Sequence, residues 1–356
     1  MCIRDRFNIA SGKWISTSIY PVRNLKPEKT RSWEVGVNSK WLNNRLSFDL
    51  TYYRSSTINQ TFTADLSVSS GYSKAYIQSG NVRNEGMEIA LGYSDKWGGF
   101  SWDSNLTFSW NQNKIIKLTE GSVNPMTGEP ITKDNYEMGQ LGNLDARVKL
   151  YKGGSIGDVY ATHRIKRDGN NNIYVSQEGK IEIESVEEFK LGSILPKSNM
   201  GWSNNFSYKG VNLGVTLTAR FGGIALSGTQ STLDQYGVSQ VTADYRDAGG
   251  IFTNYGYVDT EKYFDTVKGY AAYYTYSATN VRLSELNLSY TLPQKWFRDK
   301  LRMTVGLVGK NLWMIYCKAP FDPEATASTQ SNYYQSYDYF MQPTTRNIGF
   351  SVKLNF

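Results

Sequence analysis

The chain has 356 residues, a formal net charge of +7 and a mean hydropathy of −0.49. That average, with no apolar run of about eighteen residues, excludes a helical membrane protein. Lys and Arg are dispersed, which excludes a nucleic-acid footprint, and Cys2 and Cys317 lie too far apart in sequence for a disulfide framework or a metal-binding spacing.

Met1 to Arg6 has neither the apolar core nor the cleavage site of a signal peptide. It reads as a non-native leader, with residues 7–356 as the protein proper. From there apolar residues recur at a period of two. Trp33, Val35 and Val37 alternate with Glu34, Gly36 and Asn38. The same alternation runs through 46–53, 87–94, 100–110, 202–208, 211–221, 285–290 and 301–307, and ends at Ile348, Phe350, Val352, Leu354 and Phe356. Each segment is near the length of a tilted membrane-spanning strand, with one greasy and one wet face.

The connections alternate in length. Asn43-Asn44, Lys96 to Gly99, Lys209-Gly210 and Pro293 to Lys300 are short, whereas 58–83, 113–199, 223–278 and 313–343 are long. Short turns at one rim and long loops at the other mark an outer-membrane barrel, the short turns being periplasmic. The predicted fold is therefore all-β: an antiparallel transmembrane β-barrel with long extracellular loops and about nine strands in this chain. Nine is odd, and a sheet open in lipid would leave unpaired edges, so the chain is expected to be the carboxy-terminal part of a larger barrel. Within the longest loop, 163–175 reads as a hairpin with an Asp168-Gly169/Asn170 turn, and 181–189 as another strand. The rival from composition alone is a soluble, Tyr-rich β-sandwich.

Several stretches, in order, resemble the SusC/RagA-type TonB-dependent transporters of the Bacteroidota outer membrane. They are Leu25-Lys26-Pro27-Glu28-Lys29-Thr30 with Trp33-Glu34-Val35-Gly36, then Asn43-Asn44-Arg45-Leu46 and Thr51-Tyr52-Tyr53, then Val82-Arg83-Asn84-Glu85-Gly86-Met87-Glu88. Arg220-Phe221-Gly222-Gly223, Val281 to Tyr290, Gly309-Lys310-Asn311-Leu312-Trp313, Phe321-Asp322-Pro323-Glu324 and Thr345 to Phe350 complete the series. The resemblance implies a 22-stranded barrel with an amino-terminal plug, a link to the TonB complex, and a SusD-like surface lipoprotein as lid. It implies import of glycans or oligopeptides, with no covalent chemistry and no cofactor. The plug, the TonB box and the amino-terminal strands have no counterpart in these residues.

The single histidine, His163, sits in an Arg/Lys-rich segment and reads as an exposed loop residue rather than a catalytic one. Asp168 to Gly179 fails the calcium-loop pattern, because the sixth residue is Ile173 and the twelfth Gly179. No metal site and no catalytic residue is expected. Two aromatic clusters fall in predicted outer loops: Tyr333, Tyr334, Tyr337, Tyr339 and Phe340, and Tyr255, Tyr257, Tyr263, Phe264, Tyr270, Tyr273, Tyr274 and Tyr276. Such rings stack on sugar faces or contact a lid protein, and they equally serve to pack loops together. Phe321-Asp322-Pro323-Glu324 reads as a structural turn. Arg220, Arg282, Glu285 and Lys310 are expected on the lumen face as a charge network. An outer-membrane barrel enzyme (protease or lipase) and a passive porin or adhesion barrel are the alternative functions.

Overall fold

The computed structural model describes residues 5–8, 13–16, 19–20, 26–65, 74–118, 128–130, 135–176, 180–298, 300–325 and 335–355. Nine strands form one continuous antiparallel sheet in chain order. They are β1 (Lys29–Trp41), β2 (Leu46–Asp65), β3 (Lys74–Trp97), β4 (Phe100–Lys117), β5 (Ser198–Tyr208), β6 (Val211–Phe221), β7 (Asn280–Thr291), β8 (Arg302–Cys317) and β9 (Asn347–Asn355). The short strand Ile19–Tyr20 adds to β3 in parallel. Among the described residues no helix is long and apolar enough to cross a membrane.

Register keeps like faces together. Val211, Tyr290, Val305 and Val352 form one row across four strands, and Leu213, Leu288, Leu307 and Phe350 form the next. This outer face has no layer over it. Phe350 is 83% exposed and Leu307 58%, values a sandwich core would not allow. Val352 and Leu354 are exposed as well, and Leu213, Val215 and Leu217 are half-buried among their neighbours. Small polar residues fill the opposite face, with Ser203 facing Thr216 and Asn205 facing Gly214.

The tight turns obey local chemistry. Asn43 and Asn44 sit at φ 56° and 67°, a left-handed conformation that asparagine tolerates. Gly98 and Gly210 take positive φ at the next two turns. The strands overrun the expected loops: β2 and β3 pair as far as Asp65 and Lys74, so most of 58–83 is hairpin rather than loop. The ladder there continues because Thr, Gln and Ile residues sustain extended backbone beyond the membrane-spanning part.

Burying a charge on the outer face should be costly. Leu307→Lys is expected to lower barrel stability by about 2–4 kcal/mol, whereas Thr304→Lys on the inner face should change it by less than about 1 kcal/mol. Urea titration of the two variants in lipid vesicles checks this; equal costs would contradict the assignment of faces.

Candidate functional site

The long connections do not hang free. Residues 135–140, 147–151, 158–165 and 183–193 form an antiparallel four-stranded sheet between β4 and β5. Between β6 and β7, the strand Ile224–Ser227 is flanked by Thr275–Ser277 and by Tyr337–Asp338 from the β8–β9 connection. The same β6–β7 connection holds three helices: α1 (Gly228–Gln235), α2 (Gln240–Asp247) and α3 (Thr260–Val267). Ser227, Ser239 and Asp259 cap them by accepting the Gln230, Thr242 and Lys262 amide protons. The alternation rule gave no sign of these helices; the three capping side chains were the available signal.

One apolar core joins the three connections. Leu141, Leu144, Val148 and Val159 come from the first, Leu226, Ala271 and Tyr274 from the second, and Tyr337 from the third, all at most 2% exposed. A second core packs Val175 and Ile181 against Tyr263, Phe264 and Val267 of α3. The tyrosines therefore divide into two groups. Tyr263, Tyr274 and Tyr337 are buried and Tyr273 is half-buried, so they bind loop to loop. Burial pushes the Tyr263 and Tyr274 hydroxyls up, and lifts that of Tyr273 to about 12. Tyr337 donates to Asn143 Oδ1 at 2.6 Å and accepts the Asn143 amide proton at 3.2 Å. Tyr255, Tyr257, Tyr339 and Phe340 stay exposed, with Phe252 edge-on to Tyr257 at 5.6 Å. Tyr333 and Tyr334 lie outside the described residues.

His163 departs from the exposed-loop expectation. It lies on the strand Asp158–Ile165, and its Nδ1 is 2.9 Å from Asp145 Oδ2. The other oxygen of Asp145 accepts the Ala271 amide proton at 2.6 Å, so this pair ties the β4–β5 connection to the β6–β7 connection. The Asp168 turn is a plain Asx turn: its Oδ1 accepts the Asn170 and Asn172 amide protons at 2.9 and 2.8 Å. Among the described residues no three His, Cys, Asp or Glu side chains converge as metal ligands would.

The four expected lumen charges share a face but not one network. A bulge at Ser284 of β7, opposite Asn311 of β8, lets both Arg282 and Glu285 point inward. Arg282 clasps Asp322 with two bonds of 2.8 and 3.1 Å and reaches Glu324 at 3.2 Å. Thr344 donates to the same Asp322 at 2.9 Å, so Phe321-Asp322-Pro323-Glu324 is the anchor of the β8–β9 connection. Burial would raise the Asp322 carboxyl, but the Arg282 guanidinium and the Glu324 amide hold it below the usual carboxylate range. Arg220 instead donates to the Ile194 carbonyl at 3.1 Å. Glu285 and Lys310 face each other in register, with no ion pair between them among the described residues.

Two concave regions lie on the inner side. One of about 730 Å³ is floored by Asp49, Glu88, Ser109, Thr218 and Arg220 along the wall. The other, of about 490 Å³, lies where Asn111 and Asn113 of β4 meet Gly154, Asp158 and Lys190 of the loop sheet. Both are lined by amides, hydroxyls, glycines and charged side chains, a surface that can hydrogen-bond a polar solute.

Residues 7–172 match the family model for the TonB dependent receptor-like β-barrel. A TonB-dependent receptor of Formosa agariphila, P3, is 26% identical over 94% of this chain and 34% of its own length. The TonB-dependent receptor SusC of Bacteroides thetaiotaomicron is 22% identical over 87% of this chain and 31% of its own. A solved structure of the RagAB peptide importer in its open-open state superimposes with a TM-score of 0.68 at 18% identity, covering 99% of this chain and 37% of that one. Over residues 7–172 the chain resembles the outer-membrane barrel of TonB-dependent receptors, SusC is among its relatives, and its fold matches part of the RagAB barrel. It spans about a third of the length of the curated relatives it matches.

Arg282→Ala strands a buried Asp322 and should cost about 3–5 kcal/mol in the anchoring of the β8–β9 connection. The sign of the pH effect follows from the lowered carboxyl. The stabilisation is full above the unfolded value and is lost as pH falls through the folded one, so acid should loosen this connection. Limited proteolysis between 318 and 346 across an acid titration checks it. Asp322→Asn should remove the pH dependence. Tyr337→Phe, losing both Asn143 bonds, should raise protease sensitivity of 135–145 by a loosening of about 1–3 kcal/mol.

Proposed function

We propose that this chain belongs to an outer-membrane importer that captures a glycan or oligopeptide at its outer loops and releases it through the lumen when pulled through TonB. The observation that carries this reading is the fusion of three long connections into one packed cap over a polar inner wall. A passive pore gains nothing from such a cap, whereas a gated one needs a rigid rim on which to hold a solute. The relation to SusC and the likeness to the RagAB importer support both the import role and a SusD-like lipoprotein partner. The rest of the barrel, a plug and the TonB contact would come from sequence beyond these 356 residues.

The rings left exposed, Tyr255, Tyr257, Tyr339 and Phe340, are the candidates for contact with solute or lid. Tyr333 and Tyr334 remain candidates from the sequence. The test is growth of a strain carrying the full transporter on defined oligosaccharides or on peptides as sole nutrient. Alanine at Tyr255, Tyr257, Tyr339 and Phe340 together should weaken solute or lid affinity by about 1–3 kcal/mol without impairing assembly. Unchanged growth and unchanged affinity for oligosaccharide, peptide and lid protein would remove these rings from the site.

A further inference from the structure

The rim opposite the packed loops is made of the four short turns, and it has a chemistry of its own. Each turn has an exposed cation in or beside it: Arg45 after β1, Lys96 at the end of β3, Lys209 after β5, and Lys295 with Arg298 after β7. Lys96 pairs with Ser101 and so belongs to the inner face. No described residue of these turns is an exposed carboxylate. Asp95, beside the second turn, is 8% exposed and taken by Arg45 at 3.1 Å, while the Arg45 side chain remains 55% exposed. Asp103 is occupied by the Ser94 hydroxyl. In sequence Asp299 stands among Lys295, Arg298, Lys300 and Arg302, leaving that turn net positive.

Aromatic rings share the rim. Trp41, Trp97, Tyr208 and Trp296 are each about half exposed or more. The Lys209 ammonium lies 5.2 Å from the centre of the Tyr208 ring. Rings at the level of headgroups with free cations beside them present an amphipathic edge to a charged interface. Neighbouring turns are two strands apart, which places their cations about 10 Å from one another along the rim. That spacing suits a row of separate phosphate groups better than one polyanion in a pocket.

We propose that this rim binds anionic phospholipids of the inner leaflet, with headgroup phosphates on Lys209 and Lys295 and acyl chains against the apolar outer face. The neighbouring apolar groove of about 490 Å³, between Val211, Leu288, Tyr290, Val305, Leu307 and Phe350, runs up that face from the same rim. The proposal depends on the barrel and its orientation and not on the transported solute.

The test takes the protein as assembled in, and extracted from, outer membranes. It is titrated with dioleoyl phosphatidylglycerol or dioleoyl phosphatidylethanolamine and read by native mass spectrometry. Phosphatidylglycerol should bind at least about tenfold more tightly. The double variant Lys209→Gln, Lys295→Gln should lose most of that preference while keeping heat-resistant migration. The corresponding Lys→Arg double should keep it, as should Lys262→Gln with Lys318→Gln in the outer loops. If the Gln double fails to assemble, Lys209→Gln and Lys295→Gln are read singly, each expected to reduce the preference several-fold. Equal binding of the two lipids by the unaltered protein would overturn the proposal. So would an undiminished preference in the Gln variants, or its abolition by inorganic phosphate at the lipid's concentration.

Discussion

In hydrocarbon there is no water to take up a lost backbone hydrogen bond, and the rest of this structure follows from that. Every amide in the membrane zone must find a partner on the adjacent strand, so the ladder from β1 to β9 runs without a break. Period-two patterning then has a single consistent solution, with rows of Leu, Val and Phe outside and hydroxyls, amides and glycines inside. The inward Gly86 is covered rather than left bare. A Cβ at Gly86 would lie 2.6 Å from the Tyr53 hydroxyl oxygen, because the Tyr53 ring crosses over it to donate to Asn111 Oδ1 at 3.1 Å. The ring supplies the packing surface that glycine lacks.

Outside the bilayer the constraint relaxes and ordinary core packing takes over. Water can serve loop backbone, so helices and small sheets become possible where strands alone were allowed below. The three long connections share one apolar core, and the Asp145–Ala271 and Ser227–Asp338 bonds stitch them further. Loops built this way move as one body or not at all, which makes the outer rim a platform for recognition. The Arg282–Asp322 clasp fastens this platform to the inner wall of the barrel at the bulge in β7.

The sequence was readable where one force dominated. Alternation located all nine strands and their four short turns, and the tight turn at 168–172 followed from Asp168 and Gly169, although residues 163–165 pair with 183–185 instead of closing the expected hairpin. Arg282 is the instructive case. Strict alternation from Leu286, Leu288 and Tyr290 would send it into lipid; only the bulge at Ser284 turns it inward to Asp322. Helices α1 to α3 were illegible to a strand-seeking reading because they are eight residues each, with polar caps and no long amphipathic stripe. The tyrosines were legible as a cluster but not by role. Tyr274 and Tyr337 look like Tyr255 and Tyr257 in sequence, and only the folded core separates those that hold the loops from those that face water.

The central claim is that one face of this sheet meets lipid and the other an aqueous lumen. Single cysteines placed along β6 at residues 211–218 test it most directly, in a Cys2→Ser, Cys317→Ser background within intact outer membranes. Reaction with a small, membrane-impermeant thiol reagent should alternate, with Asn212, Gly214, Thr216 and Thr218 positions labelled and Val211, Leu213, Val215 and Leu217 positions protected. Uniform labelling of all eight, or labelling of the odd positions alone, would contradict the account.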